Sequence, residues 1–219
     1  PFSGDYYTQP SEDKDLIILK MIDHKLVGST AAHLGTVEVV STVVGYRRKA
    51  LGSGAIIDTV PLDLPPRHLV TQAFWFTFDQ HLFDEAGIGW RDMPGTLHAA
   101  EHTAIAMLPM FAICDRWDVG GLSTAVHADT GGAVFFIYDG YQGGAGIAEL
   151  GFESADRHLA ATLGVLESCP CADGCPSCVQ SPKCGNGNEP LDKHGAIAML
   201  AALLAPHPDE AGAAEIDLT

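Results

Sequence analysis

The amino-acid sequence predicts an α+β fold, with a β-rich N-terminal half (an antiparallel sheet or a small barrel) packed on a helical half with a cysteine loop. Three observations carry this. Runs rich in Val, Thr and aromatic residues crowd into the first third of the chain. Helix-like stretches follow Gly95, and Cys169, Cys171, Cys175, Cys178 and Cys184 fall together in one short segment. Strands first and helices later is the order of an α+β chain rather than of an alternating α/β one.

Residues 1–15 are polar and acidic and are expected to be a lead-in from a preceding domain. A single domain is expected over 16–204, β-rich over 16–94 and helical over 95–204, with a metal loop at 169–187 and an acidic tail at 205–219. Leu16-Ile17-Ile18-Leu19, Thr36 to Tyr46 and Leu69 to Phe78 have the residue types that fit a pleated, half-buried surface. Gly52-Ser53-Gly54 and Leu64-Pro65-Pro66 punctuate them. Thr96 to Ala106 reads as a helix with Thr96 as its N-cap, and Pro109 opens a second piece to about Arg116. Ala133 to Tyr138 is a short apolar strand, Ile147 to Ser168 the longest helix, and Leu191 to Leu204 the last one.

Charge narrows the function classes. With 12 Lys+Arg against 28 Asp+Glu the net charge is −16, which excludes a generally basic nucleic-acid binder, because nonspecific affinity for phosphates comes from cationic side chains. DNA contact then needs a local patch. The sole cationic triplet is Arg47-Arg48-Lys49 at a strand end, and Trp75, on the opposite strand face from Phe74, Phe76 and Phe78, is the candidate for stacking on bases. No segment supplies the ~20 apolar residues of a spanning helix, and no secretory leader is recognisable, so a soluble cytoplasmic fragment is expected.

Clustered cysteines with C-x-x-C spacing point to a metal rather than to a disulfide framework. Cys171, Cys175, Cys178 and Cys184 can deliver four thiolates to one tetrahedral zinc, a closed shell and hence a structural site. Cys169 is an alternative to Cys171 in that shell. A redox pair or free thiols is the competing reading. Cys114 is expected to be a small buried hydrophobe in a helix.

Several of these segments together resemble one known domain. Tyr138-Asp139-Gly140, Gly143-Gly144-Ala145-Gly146, the cysteine cluster, Asn188-Glu189-Pro190 and Leu191-Asp192-Lys193 are similar to the C-terminal zinc-binding domain of MrfA-type DEAD/DEAH-box helicases. Asp58-Thr59-Val60-Pro61, His98-Ala99-Ala100-Glu101-His102 and Cys114-Asp115-Arg116-Trp117-Asp118 resemble it too. The resemblance implies an accessory domain of a superfamily-two, 3′-to-5′ DNA helicase acting in repair, with zinc on four cysteines. Its partners would be the motor domains of the same polypeptide and, through them, single-stranded DNA. This chain holds neither a G-x-x-x-x-G-K-[ST] loop nor an Asp-Glu-x-His box, so by itself it is not expected to hydrolyse ATP.

Three other constellations carry possible chemistry. His98-x-x-Glu101-His102 matches the H-x-x-E-H signature of zinc peptidases, with Glu149, Glu153 or Glu167 as the third ligand. This makes a zinc hydrolase the main alternative, and an acidic protein-interaction module the third. Gly143-Gly144-Ala145-Gly146 can aim amides at an anion, or simply permit a tight turn. Arg116, flanked by Asp115 and Asp118, suggests an internal ion-pair network.

Overall fold

A computed structural model describes residues 6–205. It is an α+β arrangement: a six-stranded antiparallel sheet carries its helices on one face. The strands are β1 (Tyr6–Val27), β2 (Thr30–Ala50), β3 (Ile56–Pro61), β4 (Arg67–Phe78), β5 (Val119–Thr124) and β6 (Ala133–Asp139). Their order is β1-β2-β4-β6-β5, with β3 paired to the far half of β2. The helices are α1 (Gln80–Glu85), α2 (Met93–Met107), α3 (Ile147–Glu153), α4 (Ala155–Ser168) and α5 (Lys193–Leu204).

Both faces of the central strands are buried, which explains their nearly continuous apolar runs. Phe74, Phe76 and Phe78 alternate onto the helical face, where they meet Phe135, Ile137 and the buried residues of α2, α4 and α5. Ala73 and Trp75 point the other way, into a smaller core with Leu16, Val37, Val39, Val134 and Phe136. That second core exists because the sheet curls. β1 breaks register with β2 at Ser11/Glu12, Ile18/Lys20 and Met21/Asp23, and such bulges bend a strand and increase its twist. The bend carries β1 across to the loop after β5, where His127 Nε2 donates to the Leu16 carbonyl at 2.9 Å and Asp129 accepts from Ile18 N–H at 2.8 Å.

Several expectations are corrected. Residues 6–15 are not a lead-in but the first half of β1, paired to the far half of β2. The helix expected from Thr96 begins at Met93, with Pro94 in its first turn, and Thr96 is buried inside it. Beyond Pro109 the chain keeps only one 3-10 turn, Leu108–Met110, so Cys114 lies in a loop and is only half-buried. The long helix breaks at Ser154 into α3 and α4. Most of the expected acidic tail, 206–219, lies outside the described residues. Among the described residues no helix is long and apolar enough to cross a membrane.

Candidate metal centre

The cysteine loop links α4 to α5 and is bound to α2 along its length. Thr103 Oγ1 of α2 donates to the Cys178 carbonyl at 3.3 Å, and Asp192 N–H donates to the Gly95 carbonyl at 3.0 Å. Within the loop, Asn188 Oδ1 accepts from Ser181 N–H at 2.7 Å and Asn188 Nδ2 donates back to the Ser181 carbonyl at 3.0 Å. Gly174 turns the chain at φ +116°, where a Cβ would stand 2.3 Å from Val179 Cγ2.

The loop gathers Cys169, Cys171, Cys175 and Cys178. Sulfur–sulfur separations are 3.5 Å for Cys169–Cys171, 3.6 Å for Cys169–Cys175, 3.5 Å for Cys171–Cys178 and 3.8 Å for Cys175–Cys178. A tetrahedron built on Zn–S bonds of about 2.3 Å has edges of about 3.8 Å, so these four sulfurs fit one zinc ion. Burial pushes the Cys178 thiol up to about 12. Burial also opposes ionisation of Cys171, yet hydrogen bonds from Cys178, Cys169, Cys175 and Lys193 bring it down to about 7. Four thiolates so close cannot ionise together without a cation, and a divalent metal supplies it.

The sulfur set differs from the one that spacing suggests. Cys169, the residue that caps α4, takes the place given to Cys184. It does not substitute for Cys171, which stays in the cluster. Cys184 Sγ lies instead 3.4 Å from His98 Nε2, in a group with His102. The two histidines therefore do converge with a third donor, but that donor is sulfur, not Glu149, Glu153 or Glu167. Glu101 is buried between β5 and α2, and burial raises its carboxyl above the ordinary range against opposing effects of Ser123 and His98.

Lys193 was legible only as part of a motif. It is 4% exposed and donates to the Cys169 carbonyl at 2.7 Å, the Cys171 carbonyl at 2.8 Å and Cys171 Sγ at 3.5 Å. A zinc ion on four thiolates carries a charge of about −2, and Lys193 faces it.

The glycine turn holds an anion of the chain's own. Buried Asp139 at the end of β6 accepts N–H bonds from Ala145, from Ile147 at 3.3 Å and from Ala148 at 2.8 Å. The amides that open α3 are thereby satisfied. Asp115 and Asp118 likewise accept from the amides of Trp117 and Asp115 and from Tyr141 Oη. Among the described residues Arg116 makes no ion pair, so the expected network is absent.

Of the candidate DNA contacts, Trp75 is fully buried, stacked on His33 and tilted against Phe136, which leaves it no face for a base. Arg48 forks onto Asp58 and lies over the Tyr6 ring; the hydrogen-bonded carboxylate raises the guanidinium further and is itself held below the carboxylate range. Arg47 and Lys49 are half-buried and, among the described residues, have no carboxylate at ion-pair distance.

Comparison with known proteins agrees with this geometry. The family model described as the MrfA Zn-binding domain, MZB, matches residues 100–179. An uncharacterized protein of Methanocaldococcus jannaschii is 45% identical over 114 residues, covering 50% of this chain and 100% of that protein. The uncharacterized ATP-dependent helicase YprA of Bacillus subtilis is 30% identical over 80% of this chain, which spans only 23% of that helicase. A crystal structure of the DUF1998 helicase MrfA bound to DNA superposes with a TM-score of 0.66 at 27% identity, covering 90% of this chain and 26% of that one. The chain belongs to the MrfA Zn-binding domain family, and what it resembles in the larger relatives is a part of ATP-dependent, MrfA-like helicases.

Proposed function

We propose that this chain is the noncatalytic C-terminal domain of an ATP-dependent 3′-to-5′ DNA helicase that acts in DNA repair in the cytoplasm. It braces the motor domains of the same polypeptide and guides single-stranded DNA past them. Zinc on Cys169, Cys171, Cys175 and Cys178 fixes the loop that ties α4 and α5 to α2. The observation that carries the reading is the correspondence of 90% of this chain with part of a helicase crystallised on DNA. Exposed Leu19, Met21, Ile22 and Leu26 along β1 support it, because apolar patches of this kind mark protein contacts.

The test has two arms. The purified chain, carrying zinc, is assayed for DNA-stimulated ATP hydrolysis and for peptidase activity; neither is expected. In the parent helicase, replacing Cys175 and Cys178 by Ser is expected to remove the loop zinc and lower unwinding. Peptidase activity that disappears with Glu101→Gln, or unwinding indifferent to loss of the zinc, overturns the reading.

A further inference from the structure

We propose that His98, His102 and Cys184 form a second metal site that takes a divalent zinc-class ion through the two Nε2 atoms and Sγ. This goes beyond the helicase reading and does not depend on it.

The tautomers come first. His98 Nδ1 lies 2.8 Å from the Pro190 carbonyl and His102 Nδ1 lies 2.7 Å from the Val179 carbonyl. A carbonyl only accepts, so each Nδ1 carries the proton and each Nε2 presents a bare lone pair. Carbonyl-anchored Nδ1–H is the arrangement that orients metal-ligating imidazoles. Both rings are buried, with centroids 4.2 Å apart, and one ligand atom from each of the three residues lies within 4.8 Å of the others.

A purely structural hydrogen bond accounts for only part of this. The Cys184 thiol has one proton and can serve only one of the two Nε2 lone pairs that converge on it. A cation satisfies all three atoms at once. The sulfur is also prepared for negative charge, since Asn188 N–H donates to it at 3.2 Å. Imidazole and thiolate together suit zinc and its neighbours rather than magnesium or calcium.

The site differs in kind from the four-cysteine one. Three protein ligands leave one tetrahedral position, and His98, His102 and Cys184 all line a cavity of about 440 Å³ that also holds Glu101, Lys14 and Lys183. Zinc sites with three protein ligands complete their shell with water or an exogenous ligand. Here that ligand would sit in the cavity between α2, β5 and the cysteine loop.

The experiment is metal stoichiometry on the full chain, saturated with Zn²⁺ and freed of excess by gel filtration. Two zinc ions per chain are expected, falling to one in His98→Gln, His102→Gln and Cys184→Ser, with the four-cysteine zinc retained. Cobalt or cadmium-113 substitution of the wild-type chain gives a readout that needs no variant. One all-sulfur and one mixed nitrogen–sulfur signature are expected. A single ion per chain with only the all-sulfur signature overturns the proposal, as does a second ion indifferent to all three substitutions.

Discussion

At the scale of single residues, two buried basic side chains have opposite fates because of what faces them. Lys193 sits in the core beside four sulfurs, with no carboxylate at ion-pair distance among the described residues, and a buried ammonium needs a countercharge. The zinc–thiolate centre supplies one. Lys193→Met is therefore expected to lower zinc affinity by about 10–100-fold, the usual cost of losing an outer partner of a metal ligand, read by chelator competition; unchanged affinity would mean that the two carbonyls alone hold the ammonium. His158 has no such partner. Its Nε2–H donates to the Ala104 carbonyl at 2.7 Å, Nδ1 has no partner, and Phe74 and Phe111 flank the ring. Burial lowers its pKa to about 4, against the opposing pull of that carbonyl. Since the unfolded histidine titrates near 6.5, the unfolded state binds more protons between those values. Stability is then full above about pH 6.5 and falls as pH drops toward 4, by about 3 kcal/mol at most from this residue. Denaturant titrations across this window should show that slope, and His158→Gln should flatten it.

At the scale of elements, local chemistry decides where regular structure stops. The helix expected after Pro109 does not form because the Asp115 and Asp118 carboxylates take up nearby amides, offering the backbone an alternative to helical bonds. The helix from Ile147 breaks at Ser154, whose φ and ψ of −94° and 9° leave the helical range. Nearby, Gly151 lets α3 approach the Phe74 ring, where a Cβ would lie 2.4 Å away. The β1–β2 hairpin depends on Gly28 for two reasons. Its φ is +55°, and a Cβ there would stand 2.1 Å from the Leu203 carbonyl at the end of α5, which also accepts Ser29 N–H at 3.1 Å. Gly28→Ala is expected to cost about 1–2 kcal/mol from the left-handed backbone alone, and more from the clash. Thermal unfolding measures the loss, and a wild-type midpoint would show that the hairpin shifts away from α5 freely.

At the scale of the whole molecule, the charge balance of −16 leaves little cationic surface for DNA. Arg48 is committed to Asp58, and Arg47 lines a cleft with Glu12, Asp13 and Glu189. Arg47 and Lys49 remain as cationic side chains at the far end of β2, between β1 and β3. Under the helicase reading, Arg47→Ala with Lys49→Ala in the parent protein should weaken single-stranded DNA binding. The slope of log affinity against log salt should also flatten by about 0.7 for every phosphate that is no longer neutralised. An unchanged slope would assign this end of the sheet to protein packing.

The residue types along the chain determined the strands at Leu16, Thr36, Leu69 and Ala133, the cysteine metal loop and the pair of histidines one turn apart. Each rests on short-range periodicity or on ligand chemistry, which a linear sequence carries. The tertiary structure alone decided how the donors are shared out. Cys169 closes the four-sulfur cluster because α4 ends there, beside Cys171. Cys184 leaves it because the Ser181–Asn188 clasp and the carbonyls of Val179 and Pro190 bind the far half of the loop against α2. Trp75 looked available for stacking because strand alternation names two faces without saying whether the second is covered. The bulges of β1 bend that strand over it, and such curvature depends on cross-strand register.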